Sequence, residues 1–175
     1  EENLLAELTL TIKKNHSITL MPAIEFLMAS IDWKPTDLDR IVVAEGPGSY
    51  TGLRIAVATA KTLAQTLKID LVGVSSLLAL VPEEIEGLAI PVMDARRNHV
   101  YAGFYQEDSL LYPEAYLSFE AVLERSKGAE KVTFLGEVEA FGEQIHEALP
   151  HAQMVETLQD AVRIARVGLK KGAVP

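Results

Sequence analysis

The stretch EGPGSYTGLR, residues 45–54, gathers three glycines, Ser and Thr hydroxyls and a guanidinium between an apolar run and an Ala-rich segment. A strand, a glycine-rich turn and a helix start would expose backbone N–H groups and the positive end of a helix dipole, which suits an anion. Ser49 and Thr51 would add hydroxyls, and Arg54 a charge. The specific phosphate motifs do not fit. No lysine follows Gly52, as a G-x-x-x-x-G-K-[ST] loop requires. Gly46, Gly48 and Gly52 form G-x-G-x-x-x-G, one residue longer than the dinucleotide fingerprint. The second reading is mechanical: glycines supply backbone angles closed to other residues and let a helix approach a strand closely. The residues alone leave both readings open.

Other chemistry is sparse. His16, His99, His146 and His151 form neither H-E-x-x-H nor an i, i+4 pair, so zinc-protease chemistry has no support. No G-x-S-x-G frames a serine nucleophile. Glu137, Glu139, Glu143 and Glu147 fall on a predicted helix, where a solvated face is the default. Asp94 follows the apolar IPVM and opens DARR. It is either a carboxylate working at a strand end or the polar residue of a hairpin turn. His16-Ser17 reads as a helix cap or an anion contact. Arg163, Arg166 and Lys170 share a helical face, either solvated or at the rim of an RNA held by a partner.

Elements of alternating type must position these residues. Residues 4–12 read as a strand. Residues 18–31 read as a helix capped by Ser17 or Thr19, with Pro22 in or near its first turn. IVVAEG (41–46) has the continuous apolar character of a strand buried on both faces, and a helix follows over about 51–67. DLVGVSS (70–76) is another buried strand, leading to a short helix before Pro82. LAIPVMDAR and NHVYAGFYQ form a hairpin joined near Arg96–Asn98. Ser118 caps a helix ending at Gly128, KVTFLG (131–136) is a strand, and 137–149 is a helix stopped by Pro150. Thr157 and Asp160 resemble a capping box ahead of a last helix.

This is an α/β pattern with mixed sheets. The 175 residues allow one domain or two small lobes. A formal net charge of −9 disfavours free-standing binding of a polyanion. There is no cysteine, which removes disulfides and thiolate metal sites and fits the cytoplasm. No apolar run reaches the roughly 18–20 residues of a membrane span. The opening, Glu1-Glu2 followed at once by LLAELTLTI, reads as a strand entered partway, with an N-terminal piece lost; KKGAVP reads as a cut end.

The predicted helix 18–31 carries too much apolar surface for one sheet face. Leu20, Met21, Ile24, Leu27, Met28 and Ile31 lie on one side and Ile18, Pro22, Phe26 and Ala29 on the other. Such a helix is covered on more than one side, here by the helix at 51–67 and by another subunit. The outward set is Ile18, Pro22, Phe26 and Ala29 or, with the wheel turned, Met21, Glu25 and Met28.

HSITLMPAI (16–24), GPGSYTGLRIAVATAK (46–61), GVSSLLAL (73–80) and DARRNHVYAGFY (94–105) occur in this order. Together they resemble the bacterial TsaB (YeaZ-like) family of tRNA threonylcarbamoyladenosine biosynthesis proteins, well over residues 4 to about 136 and less so beyond. The resemblance implies an actin-like ATPase (ribonuclease-H-type) α/β fold of two small lobes, 1–95 and 96–175, with mixed sheets flanked by helices. The family's first strand, with an Asp-Thr-Ser turn, would precede Glu1.

It further implies a non-catalytic partner of a TsaD-type paralogue, joined by a TsaE-type ATPase. That assembly modifies adenosine in tRNAs reading codons that begin with A, and tRNA is met only through it. No catalytic or metal-binding residue is expected. The loop of Gly46, Gly48, Ser49, Thr51 and Gly52 would be a vestige of a nucleotide-binding ancestor. There would be no resident cofactor, at most weak nucleotide binding at the partner interface. The pairing face would comprise Ile18, Met21, Pro22, Glu25, Phe26, Met28, Ala29, Arg54 and Lys61, and would hold a homodimer when the paralogue is missing. The competing reading is a nucleotide-dependent phosphotransferase of the actin-like superfamily, separable by ATP turnover of the protein alone.

Overall fold

The structure is a computed structural model that describes residues 3–11, 16–48 and 50–172; the side chains of His16 and Ser17 lie outside that description. The chain divides into two compact units, residues 1–75 with 161–175, and residues 76–160. The boundary expected after residue 95 does not coincide with this division. Strand β3 (Leu88–Asp94) is hydrogen-bonded on both edges, to β4 (His99–Gln106) and to β6 (Val132–Gly136), so a cut at 95 would sever a hairpin.

The first unit holds α1 (His16–Ser30), β1 (Arg40–Ala44), α2 (Tyr50–Leu67), β2 (Asp70–Val74) and the terminal helix α5 (Ala161–Lys170). Its sheet, among the described residues, is the parallel pair β1–β2 in register Val42↔Val72. The strand expected at 4–12 is not one: residues 3–11 are unpaired, and residue 12 lies outside the described part. Alternating apolar residues predict a pleat, but a strand also needs a hydrogen-bonding edge. Leu8 and Leu10 instead border a cavity of about 310 Å³ with Leu20, Ile24, Ile55 and Ala56 of the two helices. Strand β1, expected to be fully buried, is half-buried throughout.

Helix α2 lies on β1 by its small face, with Ala60 and Ala64 buried. Helix α5 is fastened by Arg40. Its guanidinium donates to the carbonyls of Gly168 (2.8 Å) and Lys171 (2.9 Å), near the helix C-terminus where free carbonyls collect, and pairs with Asp70 at 2.9 Å. Arg163, expected on a solvated face, is buried; Arg166 and Lys170 are exposed.

The second unit is a five-stranded mixed sheet in the order β5-β4-β3-β6-β7, where β5 is Ser109–Ser118 and β7 is Gln153–Glu156. The β3–β4 and β4–β5 pairs are antiparallel; β3–β6 and β6–β7 are parallel. Helices α3 (Phe119–Ser126) and α4 (Gly142–Ala148) complete it. Ile90, Val92, Val100, Phe104, Phe119 and Phe134 belong to its core. Ser118 caps α3 as expected, accepting from the Ala121 N–H at 3.2 Å. The capping box expected at Thr157 does not form. Asp160 precedes α5, and the Thr157 hydroxyl donates to the Leu80 carbonyl at 2.7 Å. No described helix is long and apolar enough to cross a membrane.

Candidate partner-binding face

Helix α1 begins two residues earlier than expected, which puts Thr19 inside the helix and Pro22 in its second turn. Its phase then settles which side faces out. Ile18, Met21, Pro22, Glu25, Phe26 and Ala29 form one exposed stripe at spacings of three and one. Ile18 is 68% and Phe26 65% exposed. Leu20, Ala23, Ile24 and Leu27 turn toward the cavity shared with α2. Met28 is half-buried and lines a second cavity of about 390 Å³ with Ile31, Trp33 and Leu169. The outward set thus joins Ile18, Pro22, Phe26 and Ala29 to Met21 and Glu25, and leaves Met28 inside. Pro22 lacks an N–H, so the Ile18 carbonyl receives no bond from it, a loss water can make good on this open side.

Arg54 and Lys61 are exposed on α2. Arg54 lies over the Tyr50 ring, its guanidinium carbon 5.3 Å from the centroid, and its Nη1 donates to the Tyr50 hydroxyl at 3.2 Å.

In the glycine loop, the close approach of helix to strand is seen at Gly46. Gly46 has φ +113°, and a Cβ there would stand 3.1 Å from Leu53 Cδ2, so the turn holds α2 close to the end of β1. Gly48 has open space around it. Thr51 and Gly52 belong to the first turn of α2, and Ser49 lies outside the described residues.

Asp94 is the polar residue of a hairpin turn. Its Oδ1 accepts from the Arg96 N–H at 2.9 Å, and Arg96, Arg97 and Asn98 all have positive φ. Asp94 shares a surface recess with Glu137, Glu139 and Glu156. Glu137 is exposed as a residue, but partial desolvation of its carboxyl in the recess raises it above the ordinary glutamate range; a hydrogen bond with the Asp94 backbone opposes the rise, and repulsion from the Asp94 carboxylate adds to it. The described residues contain no group of three or more His, Asp or Glu arranged to hold a metal ion.

Comparison with known proteins places the chain in a family. The tRNA threonylcarbamoyladenosine biosynthesis protein TsaB of Bacillus subtilis is 43% identical over 163 residues, 89% of this chain and 67% of that protein. The chain belongs to the TsaB (YeaZ-like) family. The family model described as TsaD, tRNA N6-adenosine threonylcarbamoyltransferase, matches residues 3–169. The Escherichia coli TsaB is 27% identical over 99 residues, of which the match spans 54% of this chain and 43% of that protein. Among solved structures, YeaZ from Pseudomonas aeruginosa superposes with a TM-score of 0.72 at 27% identity, covering 87% of this chain and 76% of that one. The fold is accordingly the actin-like, ribonuclease-H-type α/β fold that the resemblance implies.

Proposed function

We propose that the chain is a non-catalytic subunit of the assembly that forms N6-threonylcarbamoyladenosine in tRNAs reading codons that begin with A. It pairs through α1 and α2 with a TsaD-type paralogue, which performs the transfer. A TsaE-type ATPase joins the pair, tRNA enters through the assembly, and the work takes place in the cytoplasm. Without the paralogue, the same face pairs with a second copy. Membership of the TsaB family supports this reading, and one observation carries it: the exposed apolar stripe of Ile18, Met21 and Phe26 on α1.

Apolar burial is worth roughly 25 cal/mol per Å², so covering one large side chain contributes about 1.5–3 kcal/mol before the costs of association. A pair of helices meeting its own copy makes an isologous interface; meeting a paralogue of like fold, it makes a pseudo-symmetric one. Any nucleotide binds weakly, at that interface. Reconstitution tests the reading. The TsaD-type and TsaE-type proteins are expected to modify tRNA only when this protein is added, and this protein alone is expected to show no transfer and no ATP turnover. Full-rate modification without it, or ATP turnover by it alone, would contradict the reading.

A further inference from the structure

The DARRNHVYAGFY segment takes no part in the helical face. It forms the end of β3, the following turn and β4. On one side of the antiparallel β4–β5 pair three rings make a ladder. His99 and Tyr116 stack with centroids 5.1 Å apart and planes 16° from parallel; Tyr101 meets Tyr116 at 5.5 Å and 59°. Tyr101 and Tyr116 are cross-strand partners, yet remain 41% and 54% exposed.

The ladder is rigidly held. His99 Nδ1 is 2.8 Å from the Arg97 carbonyl, and since a carbonyl only accepts, Nδ1 carries the proton and the ring orientation is fixed. Arg96 and Arg97 are exposed in the adjoining turn, which is closed by the Ala95 N–H to the His99 carbonyl at 2.9 Å and the His99 N–H to the Arg96 carbonyl at 3.0 Å.

We propose that this ladder is a stacking platform for unpaired bases of an RNA, with Arg96 and Arg97 placed for its phosphates. Aromatic rings on neighbouring strands of a sheet accept splayed-out bases face to face, and any base has the π surface required. Flanking guanidinium groups supply charge where the backbone passes. The net charge of −9 works against duplex RNA held by phosphates alone, so the platform favours looped or single-stranded segments. The proposal takes the identity of the RNA, a tRNA, from the function proposed above, and the anticodon loop, whose unpaired bases read those codons, is the segment chosen to test it; the stacking chemistry does not depend on it.

Fluorescence anisotropy with the full chain, alone and with its TsaD-type partner, would compare a labelled anticodon stem-loop with the same stem extended into a continuous duplex. The stem-loop is expected to bind at least about tenfold more tightly than the duplex. Tyr116→Leu, which keeps apolar bulk, is expected to weaken stem-loop binding about tenfold, the loss of one stacked base, without changing duplex binding or thermal stability. Arg96→Ala with Arg97→Ala should reduce the salt dependence of binding. Equal binding of the two RNAs, no binding in either state, or parent-like binding by Tyr116→Leu would overturn the platform. So would loss of the TsaD-type partner by Tyr116→Leu, which would make the patch a protein interface. Ring-dependent RNA binding without stimulation of modification would overturn the accessory role alone; stimulation without ring dependence would overturn the platform alone.

Discussion

Gly168 of α5 lies against Val42 of β1, so close that a Cβ on the glycine would stand 2.6 Å from Val42 Cγ1. The contact joins residues far apart in sequence and seats the terminal helix on the first sheet. Gly168→Ala is expected to force one of the two elements to shift and to cost about 1–3 kcal/mol. Chemical denaturation would measure it. A companion Val42→Ala should recover part of the loss by making room for the new methyl, and non-additivity between the two would mark the contact as direct.

Arg40 makes the second attachment of α5, through two carbonyl acceptors at 2.8 and 2.9 Å and the Asp70 carboxylate at 2.9 Å. Arg40→Met keeps most of the stem and removes the donors. The expected cost is about 1.5–3 kcal/mol, the range for hydrogen bonds with a charged partner. Hydrogen exchange should show faster exchange in α5, with little change in the amides of β3 and β4.

The Glu137 carboxyl has a folded-state pKa above the ordinary value, with its partial desolvation as the main cause. The folded state therefore binds the proton more tightly than the unfolded one, and stability falls as pH rises from the ordinary glutamate range through the raised value. Glu137→Gln removes that titration. Its denaturation midpoint is expected to decline less than the parent's between acid and neutral pH. Parallel curves for the two proteins would show that Glu137 does not contribute this dependence.

Much of this was legible from residue order, and the exceptions have particular causes. The β3–β4 hairpin was visible because two apolar, β-branched and aromatic runs flank a polar turn. Strand β5 was not. Its turn places Glu107 and Asp108 at φ 51° and 65° without the glycine or asparagine that usually signals such a turn, and Pro113 interrupts the run, which an edge strand tolerates. Strand β7 has four residues, all exposed, and offers no hydrophobic pattern. The excess apolar surface of α1 was evident from composition, but its outward side depended on helix phase and on where Leu8 and Leu10 lie. The aromatic ladder was hidden because it needs Tyr116, from an unrecognised strand, beside Tyr101.

Met28 and Phe26 are two residues apart on α1 but face different surroundings. Met28 lines an apolar cavity, and Phe26 projects to solvent. Met28→Asp would place a carboxylate among Ile31, Trp33 and Leu169, and is expected to lower stability by about 2–4 kcal/mol. Thermal melting should show the loss whether or not a partner is present.

Phe26→Asp tests the pairing face most directly. Calorimetric titration of the TsaD-type partner with this variant, beside the parent, should show affinity reduced by about a hundredfold or more, corresponding to the removal of a central aromatic anchor. Circular dichroism and melting temperature should match the parent, because Phe26 is 65% exposed. Parent-like affinity for the partner by a folded Phe26→Asp protein would contradict the assignment of α1 as the pairing face.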